Sequence, residues 1–378
     1  MSNKHILQTV FAGLDESSMQ MSIGQAIRLT LFGTSHGLEV GAIIEGMPSG
    51  ISIDEVAIQQ AMDKRKPGGK YSSKRKESDN VEILSGVEDG ITNGEPCKIR
   101  IANNDARSSD YSFLPHHPRP GHQDLLMHIK TDGKADLRGG GTSSARLTAP
   151  IVAVAAILSP LLKEIGVKIE GHVSSIGNIT AREIQLCPDD WNDENCINMR
   201  CKDPVAAKSM AQYLTTLRTK LDSVGSKVEL CITGLPIGLG EPWFDGVEPA
   251  LARAMMSIPA ARGVEFGRGF NAVQMLGSQH NDAWGGTAAD PKLKGESPDG
   301  AIAGLASGAP LKINVAFKPP SSIAKPQLTL NLETGEEENL VIKGRHDPVI
   351  GPRAVAVVEA MATFILTDLA LRGGYFDE

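Results

Sequence analysis

Apolar and polar positions along the chain fall into short alternating runs and a few long apolar faces. Residues 27–32 alternate and read as a strand that enters a Gly33-Thr34-Ser35-His36-Gly37 turn, with residues 40–45 as its partner. Residues 53–64 have helical spacing, and Asp54 and Glu55 stand near the start, where carboxylates complement the helix dipole. Residues 81–84 and 97–101 read as strands, joined through Asp89-Gly90 and Asn93-Gly94 turns. A glycine-rich loop, Arg138-Gly139-Gly140-Gly141, leads to Thr142-Ser143-Ser144. Those hydroxyls are expected to cap a long apolar helix over residues 149–165, which Pro160 is expected to kink or break near its end.

Further on, residues 167–176 and 228–232 read as strands, and residues 210–221 and 247–256 as helices. Residues 181–198 are acidic and weakly patterned, and read as a surface excursion. Two more strand-like runs, 311–317 and 328–332, precede a closing helix over residues 352–372. The strands come in antiparallel-like pairs without an alternating βαβ order, which makes the fold class α+β. Nothing forces a domain break. Residues 1–20 read as an N-terminal extension and residues 21–378 as a single large domain.

Composition narrows the chemistry. Aromatic residues are 4% of the chain, so the core is aliphatic and base stacking on nucleic acid is disfavoured. The formal net charge of −7 argues against general attraction to nucleic acid or anionic membrane, so an anionic ligand needs a local basic cluster. No apolar run is read as reaching the about 18 residues needed to span a bilayer. The first residues lack the apolar core of a signal peptide, and the 5 cysteines are too sparse for a disulfide framework. Cys187, Cys196 and Cys201 are expected to be thiols rather than metal ligands, and a reduced cytoplasmic setting is expected. The candidate chemistry lies in glycine- and proline-fixed segments: His36 in its turn, His117-Pro118-Arg119-Pro120-Gly121-His122, and Arg345-His346-Asp347-Pro348. Titratable groups on rigid loops point to one composite site for an anion, with histidine to move protons near neutral pH.

These segments, in this order, resemble the chorismate synthase family. The resemblance runs from about Ser22 to Arg372. It rests on Gly33 to Gly37 with Ile44-Glu45-Gly46-Met47-Pro48, on Arg138 to Arg146, and on Arg345 to Pro348 with Pro352-Arg353-Ala354 and Glu359-Ala360-Met361. Arg119-Pro120-Gly121-His122, Gly238-Leu239-Gly240-Glu241-Pro242 and Lys318-Pro319-Pro320-Ser321-Ser322-Ile323 add to it.

The resemblance implies a β-α-β sandwich. It implies a lyase that carries out 1,4-anti elimination of phosphate from 5-enolpyruvylshikimate 3-phosphate, giving chorismate with the help of reduced flavin mononucleotide. It implies catalytic roles for His36, His122 and Asp347, and substrate contacts for Arg65, Lys70, Arg119 and Arg345. Flavin contacts are implied for Thr142, Ser143, Ser144, Pro259, Ala260, Ala303, Lys318, Pro319, Pro320, Ser321, Ser322 and Arg345. A homotetramer and a place in aromatic amino acid biosynthesis, in the shikimate pathway with its NADP association, are also implied. The glycine-rich loops lack the Gly-x-Gly-x-x-Gly strand-to-helix setting, so reduced flavin is expected from an external source. Metal, nucleic acid and membrane are not expected as partners.

The chain departs from the family pattern at particular places. Thr34 stands for an acidic residue, Thr142 for an arginine, Leu147 for a glutamate, Lys70 for an arginine and Pro320 for a threonine; Asp299 and Ala303 replace glycines. Loss of both an arginine and a glutamate would leave no orphaned charge. Two other readings therefore stand beside the main one: a paralogue that eliminates from a less anionic cyclohexene, and a catalytically silent flavin-binding relative.

Overall fold

The computed structural model describes residues 19, 21–66, 79–104, 108–189, 191–295, 298–342 and 347–376. The expected N-terminal extension, residues 1–20, thus lies almost wholly outside the described residues. Among the described residues two five-stranded antiparallel sheets enclose a layer of helices. The first sheet has strands β1 (Ser22–Ile23), β2 (Arg28–Gly33), β3 (Glu39–Glu45), β4 (Glu82–Ser85) and β5 (Cys97–Ala102), ordered β1-β2-β3-β5-β4. The second has β6 (Lys168–Ile176), β7 (Ile179–Thr180), β8 (Ser226–Thr233), β9 (Ala261–Phe266) and β10 (Leu311–Phe317), ordered β9-β10-β8-β6-β7. The helices are α1 (Glu55–Arg65), α2 (Asp124–Lys130), α3 (Thr148–Glu164), α4 (Glu194–Met199), α5 (Pro204–Thr219), α6 (Val247–Ser257) and α7 (Gly351–Arg372).

Alternation explains the sheets. In β5, Cys97, Ile99 and Ile101 are buried and the residues between them are not. The same holds in β10 for Leu311, Ile313, Val315 and Phe317. Helix α3 packs on α7 and touches β3 and β5, while α7 rests on β6 and β8. A helix apolar all round needs burial on every side, and this middle layer supplies it. The β-α-β sandwich with one shared core is therefore the observed architecture.

Several details differ from the sequence expectation. Pro160 lies inside α3, which runs on to Glu164. Proline cannot donate to the carbonyl four residues back, and the hydroxyl of Ser159 donates to that oxygen, Ala156 O, at 3.1 Å instead. The caps are also placed differently: Ser144 caps the short turn Ala145–Leu147, accepting from the Arg146 N–H at 3.3 Å, and α3 begins after it without a side-chain cap. Part of the acidic excursion is helical, as α4, with Asp193 accepting from the N–H groups of Asn195 and Cys196. Finally, two helical stretches, Arg138–Glu164 and Gly351–Arg372, are long and apolar enough to cross a membrane, contrary to the sequence count; 67% and 89% of their most apolar windows are buried inside the protein, as core helices are.

Candidate active site

The loops at one end of the sandwich meet in a cleft of about 660 Å³, within the range of cofactor and substrate sites. Its walls come from segments far apart in sequence: Tyr111, Arg119 with Gly121 to Gln123, Gly139 with Ser143 to Arg146, Pro259 with Ala260 and Arg262, Lys318 to Ser322, and Asp347 with Ile350 and Arg353. Local geometry fixes each segment. Gly139, Gly140 and Gly141 all have positive φ (61°, 93° and 53°), a run that residues with a Cβ rarely adopt. A Cβ on Gly139 would lie 2.5 Å from Ser35 Oγ and 2.6 Å from His36 Cε1, so the glycine lets the His36 turn press against the cleft wall. The Ser35 N–H donates to Gly141 O at 3.2 Å and joins the two loops.

The loop after β10 is tied to the Arg119 loop. Ser321 Oγ donates to Gly121 O at 2.8 Å, Lys318 Nζ donates to the same carbonyl, and Arg119 Nη1 donates to Ser322 Oγ at 3.3 Å. The Lys318 N–H donates to Ala260 O at 3.0 Å, and Ala260 itself holds φ at 70°. Burial and the nearby Arg262 charge both push the Lys318 ammonium below its ordinary pKa. Two cations aimed at one small volume deepen its positive potential, which suits a phosphate.

Charged groups behind this wall are paired. The Arg119 guanidinium spans the Asp124 carboxylate, Nε to Oδ2 and Nη2 to Oδ1, both at 2.7 Å, and lies over the Tyr111 ring. Arg65 is 2% exposed and its Nη2 lies 2.6 Å from Asp79 Oδ2, while Arg146 holds the other carboxylate oxygen. Burial favours neutral Asp79, but the two guanidinium charges outweigh it and hold the carboxyl below its usual range. Arg146 also donates to Asn103 Oδ1 at 2.9 Å, and Asn103 donates to the carbonyls of Thr34 and Gly37, both at 3.0 Å. Asp347 accepts from Arg353 Nη1 at 2.9 Å.

Of the residues expected at a site, Arg119, His122, Ser143, Ser144, Pro259, Ala260, Lys318, Pro319, Pro320, Ser321, Ser322 and Asp347 line this one cleft. His36 does not line it; the ring sits one layer back, behind Gly139 and edge-on to Tyr111 with centroids 5.0 Å apart. Arg65 does not line it either, since a buried carboxylate draws the guanidinium inward. Arg119 is no open fork for a ligand, because Asp124 takes its Nε and Nη2 edge.

Thr142 lines a separate cavity of about 410 Å³ among Leu29, Leu31, Leu147, Ile151 and Met361; this cavity shares Ser143, Ser144 and Pro259 with the cleft. Ala303 turns a short hairpin, with φ at 53°, whose Gly304 lies against Glu241 and Gly246. Lys70 and Arg345 lie outside the described residues. Sequence reasoning missed Tyr111, Arg262 and Asp124; for Asp124 the available signal was a carboxylate two residues beyond a motif histidine.

The residues present fit a phosphorylated flavin. Lys318, Ser321 and Arg262 gather at one wall with the Ser322 hydroxyl, and Gly139 presents backbone without a side chain on the facing wall. A sandwich whose loops enclose a cation-lined cleft beside an imidazole defines an enzyme acting on small anionic molecules. The comparisons with known proteins specify which kind.

The family model described as chorismate synthase matches residues 27–371. The chain is 42% identical over 355 residues to the chorismate synthase of Methanosarcina mazei, covering 94% of this chain and 97% of that one. It is 42% identical over 354 residues to that of Aeropyrum pernix, covering 93% and 92%. A solved structure titled as the crystal structure of chorismate synthase superposes with a TM-score of 0.71 at 29% identity, covering 93% of each chain. The chain belongs to the chorismate synthase family and is a lyase.

Proposed function

We propose that this chain eliminates phosphate from 5-enolpyruvylshikimate 3-phosphate to give chorismate, with reduced flavin mononucleotide as cofactor. The observation that carries this reading is convergence: sequence-distant segments place His122, Asp347, Lys318 and paired serines around one cleft. Lys318 and Arg262, with the Ser321 and Ser322 hydroxyls, would hold the flavin phosphate, and the wall formed by Gly139, Ser143 and Ser144 would take the ring. Bound there, the reduced flavin supplies transient electron density with no net redox change. His122 offsets charge as phosphate leaves, and its position in the cleft wall suits an N–H directed at a phosphate oxygen. Asp347, held by Arg353, is placed to accept or relay a proton. His36 acts from behind Gly139, through the electrostatics of the flavin side of the cleft.

The finer expectations form part of the same proposal. Reduced flavin comes from outside the chain, by way of an NADP-linked pathway setting; the protein is cytoplasmic and assembles as a homotetramer. The paralogue and silent-relative readings have less in their favour, because the relatives at 42% identity are chorismate synthases and the departures Leu147 and Ala303 do not line the cleft, although Pro320 does. The test is anaerobic turnover of 5-enolpyruvylshikimate 3-phosphate by the purified chain with photoreduced flavin mononucleotide, followed as chorismate absorbance. Turnover within tenfold of about 10 s⁻¹ is expected. His122→Ala should lower it by about 10- to 10³-fold without loss of fold. Absence of turnover by the wild type, with flavin bound, would send the assignment back to the paralogue reading.

A further inference from the structure

Asp124 opens helix α2 and is 0% exposed, yet the groups of the cleft wall converge on it. Arg119 donates Nε to Oδ2 and Nη2 to Oδ1, both at 2.7 Å, and the Arg119 backbone N–H reaches Oδ2 at 3.0 Å. His122 Nδ1 lies 2.7 Å from Oδ1 and 3.1 Å from Arg119 Nη2.

Two proton arrangements compete in this triangle. In the first, Nδ1 is bare and accepts from Arg119. Its lone pair would then face a carboxylate oxygen at 2.7 Å, a repulsive contact in a buried place. In the second, Nδ1 carries the proton and donates to Oδ1, and Arg119 aims its N–H at the same oxygen over the shorter distance. Only the second arrangement satisfies every group. The acceptor is ionised throughout: burial favours the neutral acid, but hydrogen bonds from Arg119 and His122 outweigh it and hold the carboxyl well below its usual range.

We infer that Asp124 is a positioning residue that locks His122 in the Nδ1–H form, so that Nε2 is the atom that holds or releases a proton toward the cleft. The role assigned to Nε2 rests on the elimination reading above. The far edge of the ring is open to that use. A Cβ on Gly140 would come no nearer than 3.6 Å to His122 Cε1 and 3.7 Å to Nε2, and glycine leaves even that space empty. With Nδ1–H retained by Asp124, protonated His122 presents Nε2–H to a departing phosphate oxygen, and neutral His122 presents a lone pair there. No covalent bond to the ring is needed.

The test has a spectroscopic arm and a kinetic arm. The full-length chain is labelled with ¹⁵N-histidine, and the neutral imidazole of His122, assigned by comparison with His122→Ala, is read from long-range ¹H–¹⁵N correlations. The wild type should show the Nδ1–H form. In Asp124→Ala, Arg119 becomes free to donate to Nδ1, and His122 should switch to the Nε2–H form. In anaerobic turnover, Asp124→Ala should lose at least about tenfold, and in a His122→Ala background the same change should cost less than about threefold. Thermal melting checks the fold. If the alanine variant does not fold, Asp124→Asn, whose one carbonyl oxygen must serve both Arg119 and His122, takes its place and should show a mixture of the two forms.

An Nε2–H form in the wild type would overturn the inference, and so would an equal kinetic cost with and without His122. An Nδ1–H wild type whose tautomer switches in Asp124→Ala, but which does not turn over the phosphate ester, would overturn the elimination reading while supporting the positioning one.

Discussion

Thr142 and Leu147 show how a single position takes its meaning from its neighbours. The family pattern puts an arginine and a glutamate there, and in this chain both residues line the same largely apolar cavity beside Leu29, Leu31 and Met361, with Arg253 also on its wall. The two changes are thus coupled in space as well as in charge. Thr142→Arg alone should place an unpaired cation against apolar side chains and cost about 1–3 kcal/mol of stability. Thr142→Arg with Leu147→Glu should recover most of that loss, as read from the midpoints of urea unfolding. If the double variant is as unstable as the single one, the two positions are not a pair.

Legibility in the sequence also differed residue by residue. The glycine- and proline-fixed loops marked His122 and Asp347 as site candidates, and both line the cleft. What they could not reveal is depth. The chain does not advertise that Arg65 turns inward, because its partner Asp79 lies 14 residues on. His36 likewise lies behind Gly139 only through a contact between loops about 100 residues apart in sequence.

Among the elements, most long apolar faces and alternating strands were legible nearly to the residue, as in β10, but α5 begins at Pro204, six residues before the expected start at 210, because Asp203 caps it by accepting from the Val205 and Ala206 N–H groups. The missed ones have no pattern of their own. Strand β9, Ala-Arg-Gly-Val-Glu-Phe, carries a glycine and two charges and forms at the sheet edge, where pairing with β10 rather than its own sequence makes it a strand.

Helix α7 holds a second consequence of burial. Glu359 on this helix accepts from the Gly171 N–H of β6 at 2.8 Å, and burial pushes its carboxyl up to about 7, against the pull of that hydrogen bond and of the Lys64 and Arg200 charges. A carboxyl whose folded pKa is raised binds its proton more tightly in the folded state. Its contribution to stability is therefore whole below the ordinary value of 4.5 and is lost as pH rises through about 7. Glu359→Gln keeps the acceptor for Gly171 without the charge. The variant should melt with the wild type at pH 5 and be more stable at pH 8, by on the order of 1–3 kcal/mol. Equal melting at both values would show that the site relaxes to admit water.

For the whole molecule, the α+β class was legible in the strand and helix pattern and the sandwich in the family resemblance, and apolar helices that need cover on both sides agree with it. The assembly was not, since surface apolar residues carry no periodic signal. Trp243, Phe244 and Phe270 are 81%, 87% and 80% exposed, more aromatic surface than an isolated chain in water favours. Sedimentation at micromolar concentration should give four chains per particle, and a stable monomer would count heavily against the tetramer.

The middle layer also has a consequence in time. Helix α7 is the last element of the described chain, yet it lies between β6, β8, α3 and α6. A chain that has emerged only as far as residue 350 has both sheets and α3 but lacks the helix that α3, β6 and β8 pack against. The middle layer cannot be completed until the 22-residue helix α7 has emerged, and until then apolar faces of α3, β6 and β8 stay uncovered. Such a chain should therefore lean on chaperones while α7 is still missing, and a version cut just before residue 351 should aggregate rather than fold, as read from its solubility on expression.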